Sequence, residues 1–176
     1  INNRSGEPED FGTPEQNISA LYAQAELSHL PNLTITAGSR LDYEKTTDLE
    51  KSIEISPKLG LLYEFPFDLA LRGSIGKGFR APMVVERYST VTFGGFKVIS
   101  NPNLKPETSW SYEIGSSYEL SIADMPLKLD FAVFQNELFD YIEPALLGSD
   151  IQFQNITRAR ITGAELGIKV FFGYFG

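Results

Sequence analysis

The sequence predicts an all-β fold of about seven long antiparallel strands, and three observations predict it. Apolar and polar residues alternate with period two through most of the 176 residues, while the period of a helix is scarce. The alternating segments outlast the roughly 5 to 6 residues usual for strands of soluble sheets. Their connections also alternate in length, tight at one end and longer at the other.

The first strand is read over residues 17–30. The second, 33–46, places Leu33, Ile35, Ala37, Ser39, Leu41 and Tyr43 on one face. Thr34, Thr36, Gly38, Arg40, Asp42 and Glu44 fall on the other. In the third, 53–65, Leu59, Leu61 and Tyr63 oppose Lys58, Gly60 and Glu64. The fourth, 68–80, sets Leu69, Leu71 and Ile75 against Arg72, Ser74 and Gly76. The fifth, 107–120, sets Tyr112, Ile114, Tyr118 and Leu120 against Ser111, Glu113, Gly115 and Glu119. In the sixth, 126–142, Leu127, Leu129, Phe131 and Val133 oppose Lys128 and Asp130. The seventh, 151–172, pairs Leu166, Ile168 and Val170 against Glu165, Gly167 and Lys169. The middle of each apolar face is expected to be free of charge.

Turn-forming residues make 30–33, 65–68 and 121–125 tight connections. Residues 47–52, 81–106 and 144–150 are longer, as is the leading segment 1–16. Short turns on one side and long loops on the other are the asymmetry of an outer-membrane barrel. Tyr43, Trp110 and Tyr141 fall near the long-loop ends, and Tyr63, Phe65, Tyr118 and Phe172 near the tight ones. Two such bands match interfacial girdles, although aromatic rings also simply suit strands. Alternation by itself leaves lipid and a packed protein core both open as the neighbour of the apolar face. A soluble β-sandwich or lipocalin-like binding module, and a passive porin-like channel, therefore stand as alternatives.

Composition narrows the function classes. An apolar content of 42% argues against disorder, and no run is long enough for a spanning helix. A net charge of −8 makes a nucleic-acid partner a poor fit. With no cysteine, disulfides and thiolate sites are excluded, and the single histidine, His29, can build no metal cluster or triad. Segment 73–78 has only a faint likeness to a phosphate loop, lacking the residue after lysine and the helix. Asn155-Ile156-Thr157 matches a glycosylation pattern by chance within a strand. No acid pair is in evidence, so neither catalytic residues nor a metal or cofactor are expected.

Two motifs flank the longest loop. Gly76-Lys77-Gly78-Phe79-Arg80-Ala81-Pro82 closes the fourth strand, and Asn101-Pro102-Asn103-Leu104-Lys105-Pro106-Glu107-Thr108 opens the fifth. The pair resembles the rim of a strand hairpin in TonB-dependent outer-membrane receptors. Segments 20–26 with 33–43, 56–61, and 153–156 with 159–166 resemble further strands of that family. The resemblance covers nearly the whole chain from about Asn17 onward. It implies a transmembrane segment of a 22-stranded, plug-containing barrel. It also implies uptake of a scarce ligand, such as an iron-siderophore complex or cobalamin, across the outer membrane of a Gram-negative bacterium. Implied partners are outer-membrane lipid, a plug domain and the TonB energy-coupling complex. The expected organisation is an extracellular loop remnant over 1–16 and a partial barrel over 17–176, carrying extracellular loop 81–106. The plug and coupling box are expected to lie outside this chain. No signal peptide is read at the start.

Within loop 81–106, Arg87, Tyr88, Phe93, Phe96 and Lys97 are candidate ligand contacts. Aromatic rings beside cations suit an aromatic, anionic ligand. The same residues would also fold a loop over a barrel mouth by their own packing. Arg80 and Glu107 share the inward parity of neighbouring strands and are expected to pair across the rim. Asp42 with Lys58 is a weaker candidate of the same kind. The inward glycines Gly38, Gly60, Gly76, Gly78, Gly115, Gly163 and Gly167 leave lumen space for a plug, or relieve curvature.

Overall fold

A computed structural model describes residues 15–46, 51–93, 95–122 and 125–171. The strands are β1 (Gln16–Leu30), β2 (Leu33–Thr46), β3 (Ser52–Glu64), β4 (Leu69–Arg80), β5 (Val91–Phe93), β6 (Phe96–Ile99), β7 (Glu107–Ile122), β8 (Met125–Leu147) and β9 (Asp150–Val170). One helical turn, α1 (Val84–Tyr88), precedes β5. All nine strands join one sheet in the order β1-β2-β3-β4-β7-β8-β9-β6-β5. The seven long strands form an antiparallel meander. Only β6 runs parallel to its neighbour, β9.

Register carries the two-faced pattern across the sheet. Ile35 pairs with Leu61, Ile75 with Tyr112, Ile114 with Val133, and Phe131 with Leu166. On the opposite face Gly38 pairs with Lys58, Arg72 with Gly115, and Asp130 with Gly167. Among the described residues no second sheet covers the apolar face. Among the described residues the buried hydrophobic ones are Leu104, Ala132 and Ile142, while Leu21, Ile114 and Leu166 are about 70% exposed. A sandwich or lipocalin would seal those side chains in a core, so the soluble alternatives do not describe this chain.

The height of the apolar face fits a bilayer. Outward β3 residues run from Ile53 to Tyr63, ten residue steps apart. At roughly 3.4 Å per residue and a tilt near 45° they rise about 24 Å, against an apolar band of about 25 Å in outer-membrane barrels. Tyr63 and Phe65 meet edge to face at 4.6 Å, and Phe67 lies 5.2 Å from Phe65 at the tight-turn end. Trp110 and Tyr112 stack at 6.5 Å toward the other end. Phe172, placed in a girdle on sequence, lies outside the described residues, as do 1–14; Gln16, counted with the leading loop, opens β1.

On the lumen face, two glycines have a specific task. Arg72 lies flat across Gly115 to reach Asp130 on β8 at 2.8 Å and Glu113 on β7 at 3.2 Å. A Cβ on Gly115 would stand 2.6 Å from the Arg72 Cζ. Phe134 lies over Gly163 in the same way. The space these two glycines leave is filled by wall side chains. Lys58 similarly lies against Gly38, and Asp42 takes its partner from Arg40 on its own strand at 2.8 Å. The expected Asp42–Lys58 pair is thus replaced by a neighbour two residues away on the same face.

Two further expectations change. Segment 144–150 is not a loop: β8 continues to Leu147 and turns through Gly148, at φ 68°, into β9. Pro144 pairs with Phe153 of β9, above the point where β7 begins, so its missing N–H breaks no ladder on that side. Loop 81–106, which shows no period, contains α1 and the β5–β6 hairpin, so among the described residues two short strands join the seven long ones.

Arginine at outward Leu61 or Ile114 is expected to cost about 2 to 4 kcal/mol near the bilayer midplane. Arginine at lumen-facing Ser74 should cost far less. Unfolding titrations of the receptor in lipid vesicles check both.

Candidate functional site

The site is the rim where the long loop folds back onto the wall. Arg80 ends β4 and Glu107 begins β7, opposite each other in register. Their side chains form a forked pair, Arg80 Nε donating to Glu107 Oε2 at 2.7 Å and Nη2 to Oε1 at 2.5 Å. Arg80 Nη1 also donates to Glu86 of α1, at 3.1 Å to Oε2. Glu86 in turn accepts from the Met83 backbone N–H at 2.8 Å, closing the start of the helical turn. Glu107 Oε1 accepts a further bond from the Ile142 N–H at 2.8 Å. One arginine and two carboxylates thus tie β4, α1, β7 and β8 together.

Arg87 follows Glu86 and points to a different wall. Its Nη1 donates to Glu44 Oε1 at 3.1 Å, and its Nη2 to the Leu104 carbonyl at 3.2 Å. Both charged side chains are nearly inaccessible, at 6% and 4% exposure. Gln16 joins them, donating to Glu44 at 2.8 Å and to the Pro82 carbonyl at 3.0 Å. Thr46 also donates to Glu44 Oε1, at 3.0 Å. Glu44 Oε2 and Arg87 Nε are buried without a hydrogen-bond partner among the described residues. A buried pair with such gaps holds geometry more than it adds net stability.

The far end of the loop is stitched to β8 and β9. Asn155 receives the Lys105 N–H at 2.8 Å and donates to the Lys105 and Asp140 carbonyls at 3.0 and 2.6 Å. Asp140, at φ 51°, is where β8 bends past the end of β7. Asn101 donates to the Phe153 carbonyl at 2.8 Å, and Gln152 to the Ser100 carbonyl at 3.0 Å. Leu104 and Pro82 are buried at the junction. An open cleft of about 540 Å³ lies between Pro102–Pro106 and the β2–β3 rim, with Arg87, Lys51 and Lys105 in its walls.

The structure separates the sequence candidates. Arg80 and Glu107 come together as expected. Arg87 is turned inward and paired with Glu44, leaving its side chain only 6% exposed where it lines the cleft. Tyr88 ends α1, and Lys97 lies exposed on β6. Phe93 and Phe96 belong to β5 and β6, with side chains outside the described residues. Sequence reasoning missed Gln16, Glu44 and Asn155. Glu44 carried one signal, an acidic inward position at the upper end of β2.

A family model described as TonB dependent receptor-like, beta-barrel, matches residues 1–176. The chain belongs to this receptor family. Heme/hemopexin utilization protein C of Haemophilus influenzae is 27% identical, over 85% of this chain and 26% of its own length. Vitamin B12 transporter BtuB of Vibrio vulnificus is 35% identical, over 89% of this chain and 23% of its own. The chain thus spans about a quarter of the curated relatives it matches. Among solved structures, the hemophore receptor HasR of Serratia marcescens, in complex with HasA and heme, superposes with a TM-score of 0.80. It shares 18% identity over 89% of this chain and 32% of that one, a likeness of fold.

Replacing Arg87 by Met strands the Glu44 carboxylate, and the receptor should lose about 3 to 5 kcal/mol of local stability at the rim. Loop 81–106 should then become protease-sensitive, and adding Glu44→Gln should restore much of its protection. Limited proteolysis with mass mapping reads both outcomes.

Proposed function

We propose that this chain is a stretch of the barrel wall of a TonB-dependent receptor that binds a scarce ligand outside the cell and imports it. The carrying observation is the inward latch of loop 81–106, with Arg87 buried against Glu44 on the lumen face of β2. The family match over residues 1–176 favours a receptor over a passive pore, and a receptor needs a partly enclosed site to hold its ligand. The names of the relatives, which refer to heme and vitamin B12, support a bulky, ring-containing ligand of the iron-chelate, heme or cobalamin kind.

In this reading the barrel sits in the outer membrane of a Gram-negative bacterium, its apolar face against lipid. A plug domain fills the lumen, and the TonB complex acts through regions beyond this stretch. The protein carries out transport and no bond-making chemistry of its own. Tyr88, Phe93, Phe96 and Lys97 contact the ligand, and the Lys51 and Lys105 charges near the cleft favour an anionic one. Arg87 belongs to the latch and acts on ligand only by setting the loop's position.

Alanine at Tyr88, Phe93 and Phe96 together should weaken ligand affinity by about tenfold or more, since each ring contact is worth roughly 0.5 to 1.5 kcal/mol. Binding of heme, cobalamin and a ferric siderophore to the purified receptor, compared with the triple variant, checks this. Unchanged affinity for whichever ligand binds removes those residues from the site.

A further inference from the structure

The outward face of β8 and β9 is apolar only part of the way up. Leu127, Leu129, Phe131 and Val133 on β8 face Val170, Ile168, Leu166 and Ala164 on β9. Above them the same face, expected to be free of charge at its middle, presents Glu137 opposite Arg160, and Phe139 opposite Arg158, charges that the apolar face carries because they pair with one another. Both arginines bind the single carboxylate. Arg158 Nε donates to Glu137 Oε2 at 2.7 Å, Arg160 Nε donates to Oε1, and Gln135 also donates to Oε1 at 2.8 Å. Arg158 additionally lies over the Phe139 ring, 5.4 Å from its centre.

Charge and height together define what this patch meets. Glu137 is 6% exposed, while the Arg158 and Arg160 side chains remain 52% and 56% exposed after pairing. One buried carboxylate neutralises one of two cations and leaves a net positive, fork-shaped donor surface. From Leu127 to Glu137 is ten residue steps, about 24 Å of rise at roughly 3.4 Å per residue and 45° tilt. That places the arginines where an apolar band of about 25 Å gives way to headgroups. Trp110, in register with Glu137, marks the same level with an interfacial ring.

We infer that Arg158 and Arg160, held by Glu137, form a binding site for the phosphate groups of the glycolipid that fills the outer leaflet. The site lies on the long-loop side of the wall, where that lipid is the neighbour, and planar guanidinium forks match phosphate oxygens. Glu137 pre-orients both arginines so that little rotamer freedom is lost when phosphate arrives. The inference rests on the outer-membrane reading above and goes beyond it, because nothing in ligand uptake requires a lipid site here.

The test uses the intact receptor in phosphatidylcholine nanodiscs doped with bis-phosphorylated lipid A, dephosphorylated lipid A or phosphatidylglycerol, with retained lipid read by native mass spectrometry. Wild type should retain the bis-phosphorylated form over the dephosphorylated one by roughly 20-fold, and Arg158→Gln with Arg160→Gln should abolish that preference. Arg158→Lys with Arg160→Lys, which keeps charge without the forks, should retain an intermediate share. Equal retention of both lipid A forms by wild type needs no variant to fold, and it overturns the site. So does equal preference for phosphatidylglycerol, or an unchanged glutamine variant that still shows heat-modifiable migration. Receptor that never reaches the outer-membrane fraction overturns the uptake reading as well, whereas receptor that inserts without this lipid preference overturns only the site.

Discussion

Strand register governs this molecule, because a sheet with one greasy and one wet face tolerates no slip. Moving any strand by one residue would put Arg72 or Lys58 into hydrocarbon and Leu61 or Ile114 into the lumen. Backbone groups at bilayer depth have no water to turn to, so every long strand must also find a neighbour. Lumen-side ion pairs reinforce the same pairing. Arg72 reaches across β7 to β8 and Arg80 across β4 to β7, so each reports the relative position of its strands. These contacts matter less for their energy than for the single alignment they permit.

Much of the wall was legible in the amino-acid pattern because period-two alternation is a local property. Strand 33–46 coincides with β2 end to end, and the inward parity of Arg80 and Glu107 sufficed to bring them together. Boundaries failed where a long-range partner overrode a local signal. Pro144 reads as a strand stop, yet β8 runs past it because only β9 lies alongside at that height. Asp42 and Lys58 share a face, but Arg40 was nearer to the acid and Lys58 found room over Gly38.

The rim shows the other kind of illegibility. Loop 81–106 lacks any period because its structure comes from contacts 17 to 66 residues away in sequence, such as Arg87 with Leu104 and Gln16 with Pro82. A reading based on residue type placed Arg87 among ligand contacts, and its burial against Glu44 was not legible from that type. Asn155 was visible as part of a resemblance and of a chance glycosylation pattern, neither of which pointed to its role. Its use, bridging Lys105 to Asp140, is a matter of three segments meeting in space.

The parallel pairing of β6 with β9 bears on how this mouth can open. Lys97, Val98 and Ile99 are zipped to Asp150, Ile151 and Gln152 at the tip of the tall β8–β9 hairpin, while α1 is clasped by β2 from the opposite bank. The segment is therefore a bridge anchored on two shores and not a flap swinging from one hinge. Displacing the segment would mean either unzipping one abutment or moving both banks together, so the spacing of β2 and β9 sets how far it can shift.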